Sequence, residues 1–84
     1  MIPHTTSVRH LGGYRLWITF NTGEAGEVDL SDELDGPVFG PLRDPNLFAT
    51  ARQNAELGTV TWDNGADLAP EFLLDRARHY SSGE

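Results

Sequence analysis

Three side chains in the C-terminal half form the densest cluster of oxygen ligands in the sequence: Asp63, Asn64 and Asp67. Carboxylate and amide oxygens are typical ligands for Ca²⁺. A calcium loop, however, places acids at alternate positions and a glutamate at its end, and this spacing does not match that pattern. Asx turns and the entry into a helix explain the three residues better. We predict that they hold no metal.

The other residue types that could do chemistry are sparse. His4 and His10 would lie roughly 20 Å apart along an extended chain, too far to share one metal. His79 falls near a predicted helix end, where a protonated imidazole interacts favourably with the helix dipole. The sequence has no cysteine, no Gly-x-Ser-x-Gly pattern and no phosphate-binding glycine pattern. We predict no catalytic residue, no metal and no cofactor, and we expect a protein that is not an enzyme.

The 84-residue chain is acidic, with 13 acids against six arginines and a net charge of −7. Seven of the acids fall within residues 21–45, beside a single arginine: Glu24, Glu27, Asp29, Asp32, Glu33, Asp35 and Asp44. Such a segment is more often a solvated face than a docking surface for a basic partner. The net charge disfavours direct nucleic-acid binding. No run of about 20 apolar residues is present, so we predict no membrane span and a cytoplasmic location.

The first thirty residues are predicted to form a three-stranded antiparallel meander, because apolar and polar side chains alternate along them. We predict three-residue loops at 11–13 and 21–23, each ending with a glycine in the left-handed region. A two-residue turn at the first glycine pair would divide the apolar residues between both faces. The chosen register keeps them on one face and pairs Val8 with Leu16, Leu16 with Val28, and Tyr14 with Leu30.

The opposite face of the meander carries charged residues around one tryptophan. In the predicted register Arg15 lies opposite Asp29, Trp17 lies opposite Glu27, and Arg9 shares their face. Protein interfaces favour tryptophan and arginine, so this face is a candidate partner-binding surface, joined by Asp32, Glu33 and Asp35 of the acidic segment. Small α+β domains often cover one sheet face with a helix of the same chain, and we favour that arrangement here.

Two short helices and a second hairpin follow the meander. Ser31 is a good N-cap and is followed by two acids, so we predict that the first helix begins there. The glycine at Gly36, followed by proline, is predicted to end it. Asp44 as N-cap and Pro45 at the first helical position begin the second helix. Residues 51–62 form the predicted hairpin, with 59–62 as its convincing strand and the polar segment 51–55 as a weak partner.

A final helix is predicted from Pro70 to about His79, and five residues follow helical spacing on it: Phe72, Leu73, Arg76, Ala77 and Tyr80. Between the short helices and within the second one, five apolar residues are expected to pack inward: Val38, Phe39, Leu42, Leu47 and Phe48. The fold class is therefore α+β, a single domain over residues 1–80 with a frayed polar tail at 81–84.

Over residues 8–73, the sequence resembles domain of unknown function family 2442. The most specific stretch runs from Gly58 to Pro70, and Gly36-Pro37-Val38-Phe39 and Leu42-Arg43-Asp44-Pro45 also match. The chain departs from the family pattern at Asp63, where a proline is common, and in the polar segment 51–54. We interpret eight residues of the pattern as structural: Gly23, Asp44, Phe48, Trp62, Asn64, Gly65, Asp67 and Pro70.

The resemblance implies a meander-plus-helices α+β fold, no assigned catalytic activity, and bacterial or phage-like genomic settings. Some relatives sit beside another small protein in an arrangement similar to toxin-antitoxin pairs, and some carry an added helix-turn-helix, for which this chain is too short. We expect a non-enzymatic protein-interaction domain, the antitoxin-like partner of such a pair. The alternatives are a transcription-regulatory or DNA-associated domain and an unrecognised small enzyme. The oligomeric state stays open.

Overall fold

The computed structural model describes residues 2–82, with side chains described up to residue 78. Its element order is β1 (Thr5–Gly12), β2 (Arg15–Phe20), β3 (Ala25–Asp29), α1 (Gly36–Phe39), a 3₁₀ helix (Gly40–Arg43), α2 (Pro45–Phe48), β4 (Arg52–Asn54), β5 (Thr59–Thr61) and α3 (Pro70–Ser82). The predicted α+β class is confirmed. The final helix runs three residues past the predicted end, and positions 83–84 of the predicted tail lie outside the described residues.

Strands β1, β2 and β3 form the antiparallel meander in sequence order. The register of β2 against β3 is as predicted, with Leu16 paired with Val28 and Trp17 paired with Glu27. The turn between them spans three residues, because the Phe20 amide donates to the Glu24 carbonyl at 2.9 Å. Gly23 closes this turn at a φ of +89°, a left-handed conformation that L side chains rarely adopt.

The predicted register of β1 against β2 is wrong by two residues. Val8 pairs with Ile18, and His10 takes the place opposite Leu16 that was predicted for Val8. The loop contains only two residues, since Gly12 pairs with Arg15, and the register shifts between His10 and Gly12. This bulge inserts one extra residue into β1, which returns Val8 to the core face despite the shorter turn.

The connection after β3 also differs from the prediction, because residues 31–35 form a turn and bends rather than a helix. The Asp29 carboxylate accepts a hydrogen bond from the Ser31 amide at 2.9 Å, and the Leu30 carbonyl accepts one from the Glu33 amide at 2.9 Å. Leu34 is buried. The first helix instead begins at Gly36, where the predicted helix ended, because the following proline suits the first turn of a helix.

The second short helix follows the prediction. The Asp44 side chain accepts a hydrogen bond from the Asn46 amide at 3.0 Å, and Pro45 is the first helical residue. Phe48 and Leu42 are fully buried, while Leu47 and Phe39 pack partly buried against the core. Val38 is 48% exposed, so its predicted inward packing is wrong.

One hydrophobic core joins the meander, the second hairpin and the final helix. β4 and β5 form the predicted hairpin, which contacts β1, and α3 packs against β3. Among the described side chains of α3, Leu73, Leu74 and Ala77 are buried, so Leu74 joins the predicted stripe, while Phe72 is only partly buried. Trp62 lies at the centre, with its indole N–H donating to the Phe48 carbonyl at 3.0 Å. The Tyr80 side chain lies outside the described residues.

Candidate functional site

The face of the meander that points away from the core is the candidate site. Its central row is formed by cross-strand pairing, with Arg9 opposite Trp17 and Trp17 opposite Glu27. The next row pairs Arg15 with Asp29. We call the surface formed by these five residues the outer face. The structure therefore brings together five of the eight residues predicted to bind a partner.

No helix in the described part of the chain covers the outer face, contrary to the expected cover by a helix of the same chain. Trp17 is 40% exposed, and the buried residues among the described side chains of α3, Leu73, Leu74 and Ala77, belong to the core on the opposite side of the sheet. Trp62, the other tryptophan, is 1% exposed. Because a tryptophan carries a large apolar surface and protein interfaces favour it, an exposed one at the middle of a sheet face is a candidate binding residue.

The charges of the outer face are only partly satisfied within the chain. The Arg15 guanidinium contacts the Glu27 carboxylate at 3.3 Å, along the diagonal between the two rows, and the Glu27 side chain is 15% exposed. Asp29 is engaged by the Ser31 amide. Arg9 is exposed and makes no ion pair with any side chain described in the structure. The surface thus holds a cation that has no anionic partner among the side chains described up to residue 78.

The other three predicted partner-binding residues lie apart from the outer face and pair with arginines of this chain. Asp32 contacts Arg76 at 3.0 Å, and Glu33 contacts the same guanidinium. Hydrogen bonding from Arg76 lowers the pKa of Asp32. Asp35 contacts Arg43 at 3.5 Å.

Glu24, at the other end of β3, also pairs with an arginine of this chain. Two atoms of the Arg78 guanidinium donate to its carboxylate, both at 2.7 Å. The hydrogen bond from Arg78, helped by one from Thr22, lowers the pKa of Glu24 from 4.5 to about 2. Much of the acidic segment is therefore engaged in ion pairs that join distant parts of the chain, which reduces the charge available to a basic partner.

The residues interpreted as structural lie in turns, caps and the core. Asn64 accepts a hydrogen bond from the Ala66 amide at 3.1 Å, and its side-chain amide donates to the Val38 carbonyl at 3.1 Å. Gly65 has a φ of +86°, and Asp67 forms an isolated bridge with Thr61. Pro70 is the first residue of α3. Within the described part of the chain, no group of three or more histidine, aspartate or glutamate side chains could hold a metal ion.

An open pocket of about 400 Å³, which the sequence did not suggest, lies between the start of β1 and the turn of the second hairpin. His4, Glu56 and Leu57 are among its lining residues, while Asp63 and Asp67 are not. Gln53 crosses this junction and donates to the Thr5 carbonyl at 2.7 Å. These residues follow no motif and come from distant segments, so no sequence signal could have identified the pocket. None of the described helices is long and apolar enough to span a membrane.

The fold and sequence are similar to those of a solved bacterial protein. The crystal structure of a "Putative DNA Binding Protein" from Nitrosomonas europaea ATCC 19718 superimposes with a TM-score of 0.80 at 32% sequence identity. The match covers 96% of this chain and 52% of the other, so the chain spans about half the length of that protein. No curated protein matches. A family described as "Protein of unknown function (DUF2442)" matches residues 5–79, which is most of the chain. The chain therefore belongs to the DUF2442 family.

Proposed function

We propose that this chain is a non-enzymatic interaction domain whose outer face binds a protein, as the antitoxin-like member of a two-protein pair. The observation that carries the proposal is the 40% exposure of Trp17 at the centre of a sheet face that no described element covers. Tryptophan and arginine dominate the binding energy of many protein interfaces, and Arg9 and Arg15 lie beside this tryptophan on the neighbouring strand and in the next row.

The ion pairs within the chain favour the outer face over the acidic segment as the binding surface. Glu24, Asp32, Glu33 and Asp35 each contact an arginine of the same chain, so a partner that bound them would first have to displace that arginine. The outer face retains an apolar centre and a cation without an anionic partner among the described side chains. A partner that complements it would place an apolar pocket over Trp17 and a carboxylate near Arg9.

Co-expression with the product of the adjacent gene tests the proposal. We expect a complex that survives size-exclusion chromatography at micromolar concentration, and a dissociation constant at least about 30-fold weaker for Trp17→Ala, the loss typical of a hot-spot residue. Leu57→Ala is the matched control, because Leu57 is 55% exposed and lies away from the outer face. Two separate monomeric proteins, or equal binding by Trp17→Ala and wild type, would contradict the proposal.

A second candidate function is association with DNA. It is favoured by the description of the Nitrosomonas europaea protein, of which this chain covers 52%. Arg9 and Arg15 would supply the phosphate contacts, although the net charge of −7 opposes them. Fluorescence anisotropy with a labelled duplex, titrated with salt, decides the matter. Affinity that falls with rising salt and is lost in Arg9→Ala supports DNA binding, and no affinity at low ionic strength eliminates it.

A further inference from the structure

The central row of the outer face has a charge pattern that is complementary to itself. Arg9 on β1 pairs with Trp17 on β2, and Trp17 pairs with Glu27 on β3, so the row reads cation, aromatic, anion across the sheet. The second row adds Arg15 on β2 and Asp29 on β3. In the central row, positive charge therefore lies toward β1 and negative charge toward β3, with the exposed tryptophan between them, while Arg15 lies on the same strand as the tryptophan.

A two-fold axis parallel to β2 and passing above Trp17 would exploit this pattern. Such a rotation exchanges the two sides of the sheet, so Arg9 of one copy faces Glu27 of the other, and the two Trp17 side chains meet at the axis. The two Arg15 side chains also lie at the axis, each in contact with Glu27 of its own copy. A two-fold axis across the strands would instead place Arg9 against Arg9 and Glu27 against Glu27, which like-charge repulsion disfavours. The favourable rotation keeps the strands of both sheets nearly aligned, as in the commonest face-to-face sheet packing.

The ion pairs that each arginine makes within one copy agree with this arrangement. Five arginines of the chain, Arg15, Arg43, Arg52, Arg76 and Arg78, contact an acid within it. Arg9 is exposed and has no such contact with a side chain in the described part of the chain. Glu27 accepts one contact from Arg15 at 3.3 Å, and 15% of its side-chain surface stays exposed. A carboxylate has further acceptor sites, so a second guanidinium would contact Glu27 at this exposed part.

We propose that the outer face binds a second copy of this chain in a two-fold dimer, through reciprocal Arg9 to Glu27 ion pairs around the paired Trp17 side chains. The proposal goes beyond the proposed function, because it places a second copy of the chain on the surface where the proposed function places another protein. Three strands about 4.8 Å apart and rows about 6.8 Å apart make a small face, so the buried area falls at the low end for specific complexes. We expect a dissociation constant in the high micromolar range.

Charge reversal provides the test. The weight-average mass of the wild-type chain is measured by analytical ultracentrifugation from about 1 μM to about 1 mM, a range that brackets the expected dissociation constant. We expect wild type to approach the dimer mass at the highest concentrations. Arg9→Glu and Glu27→Arg should each weaken dimerisation at least about 10-fold, because each variant places two like-charged pairs at the axis. Trp17→Ala should weaken it at least as much.

The equimolar mixture of Arg9→Glu with Glu27→Arg is the decisive sample. In a mixed dimer both contacts become a glutamate against an arginine, so dimerisation should return, and this rescue also shows that both variants fold. Glu56→Arg controls for the change in net charge, since Glu56 lies at the pocket and not on the outer face. A mixture that stays monomeric, or single variants that dimerise as wild type does, would overturn the proposal.

The outcomes separate this inference from the proposed function. If wild type stays monomeric over the whole range while Trp17→Ala still abolishes binding to the adjacent gene product, the second copy is wrong and the outer face remains a protein-binding surface. If the chain dimerises with the predicted charge dependence but never binds that product, the second copy is right and the antitoxin-like role is wrong. If Trp17→Ala alters neither association, both proposals fail.

Discussion

Truncation of Trp62 separates the buried tryptophan from the exposed one. Trp62 is 1% exposed and contacts the Phe48 ring at a centroid distance of 5.7 Å. Replacing a core tryptophan by alanine costs about 3–5 kcal/mol. The change also removes the indole N–H that donates to the buried Phe48 carbonyl at 3.0 Å, which moves the expected loss toward the upper end of that range. An 84-residue chain has roughly 4–12 kcal/mol of stability in total, so this single change removes a third of it or more.

Trp17→Ala is the matched change at the other tryptophan. Because Trp17 is 40% exposed and no described element covers it, we expect a loss of about 1 kcal/mol or less. A third variant, Trp62→Phe, keeps an aromatic ring and loses the N–H, and it should fall between the two, at about 1–3 kcal/mol.

Urea denaturation followed by far-ultraviolet circular dichroism measures all three changes, because tryptophan fluorescence is altered by the substitutions themselves. Linear extrapolation gives each free energy of unfolding. An unchanged m-value shows that a variant exposes as much surface on unfolding as wild type does, so their free energies of unfolding can be compared. Equal losses for Trp17→Ala and Trp62→Ala would refute the reasoning, since they would mean that both tryptophans are core residues. A loss below about 1 kcal/mol for Trp62→Ala would refute its central position.

Two further changes test the polar contacts. Glu24 has a pKa lowered from 4.5 to about 2 by hydrogen bonding from Arg78, so its stabilising contribution is present above pH 4.5 and is lost as the pH falls toward 2. The urea midpoint of Glu24→Gln should therefore be lower than that of wild type near neutral pH, with a difference that shrinks over this interval; a difference that does not depend on pH would contradict the assignment, and Glu56→Gln controls for net charge. Asp44→Ala should cost about 0.5–2 kcal/mol by circular dichroism-detected unfolding, because it removes the acceptor for the Asn46 amide, whereas Asp44→Asn should stay within a few tenths. An equal loss in both Asp44 variants would argue against the cap.

Local features of the fold were predictable from nearby residues. The turn closed by Gly23, the cap at Asp44 and the start of α3 at Pro70 all follow from the conformational preferences of residues within one turn. The pairing of β2 with β3 followed from the length of the turn, which sets the register of a hairpin.

Features that depend on distant residues were not predictable. The helix expected after Ser31 is absent, and the two acids expected in its first turn, Asp32 and Glu33, both contact Arg76, 44 and 43 positions away. The register of β1 was wrong because a bulge after His10 compensates for a two-residue turn, and the two effects cannot be told apart from alternation alone.

The membership of the outer face came from the sequence, whereas its exposure did not. Alternation along the strands placed Arg15, Trp17 and Glu27 on one side, and the structure agrees. Whether a helix covers that side depends on where α3 packs, because its apolar residues could in principle have seated on either face. In the structure they lie on the core side, which leaves Trp17 40% exposed.

The sequence by itself determined the α+β class and the two faces of the meander, because a strand has a side-chain period of two and one face must bury its apolar residues. The sequence did not determine which charged side chains pair with one another. In the sequence, Glu24, Asp32 and Glu33 belong to one acidic segment, and only the packing of α3 brings Arg76 and Arg78 into contact with them. Ion pairs between distant segments form only after the core has placed those segments side by side, and that placement is a property of the tertiary structure.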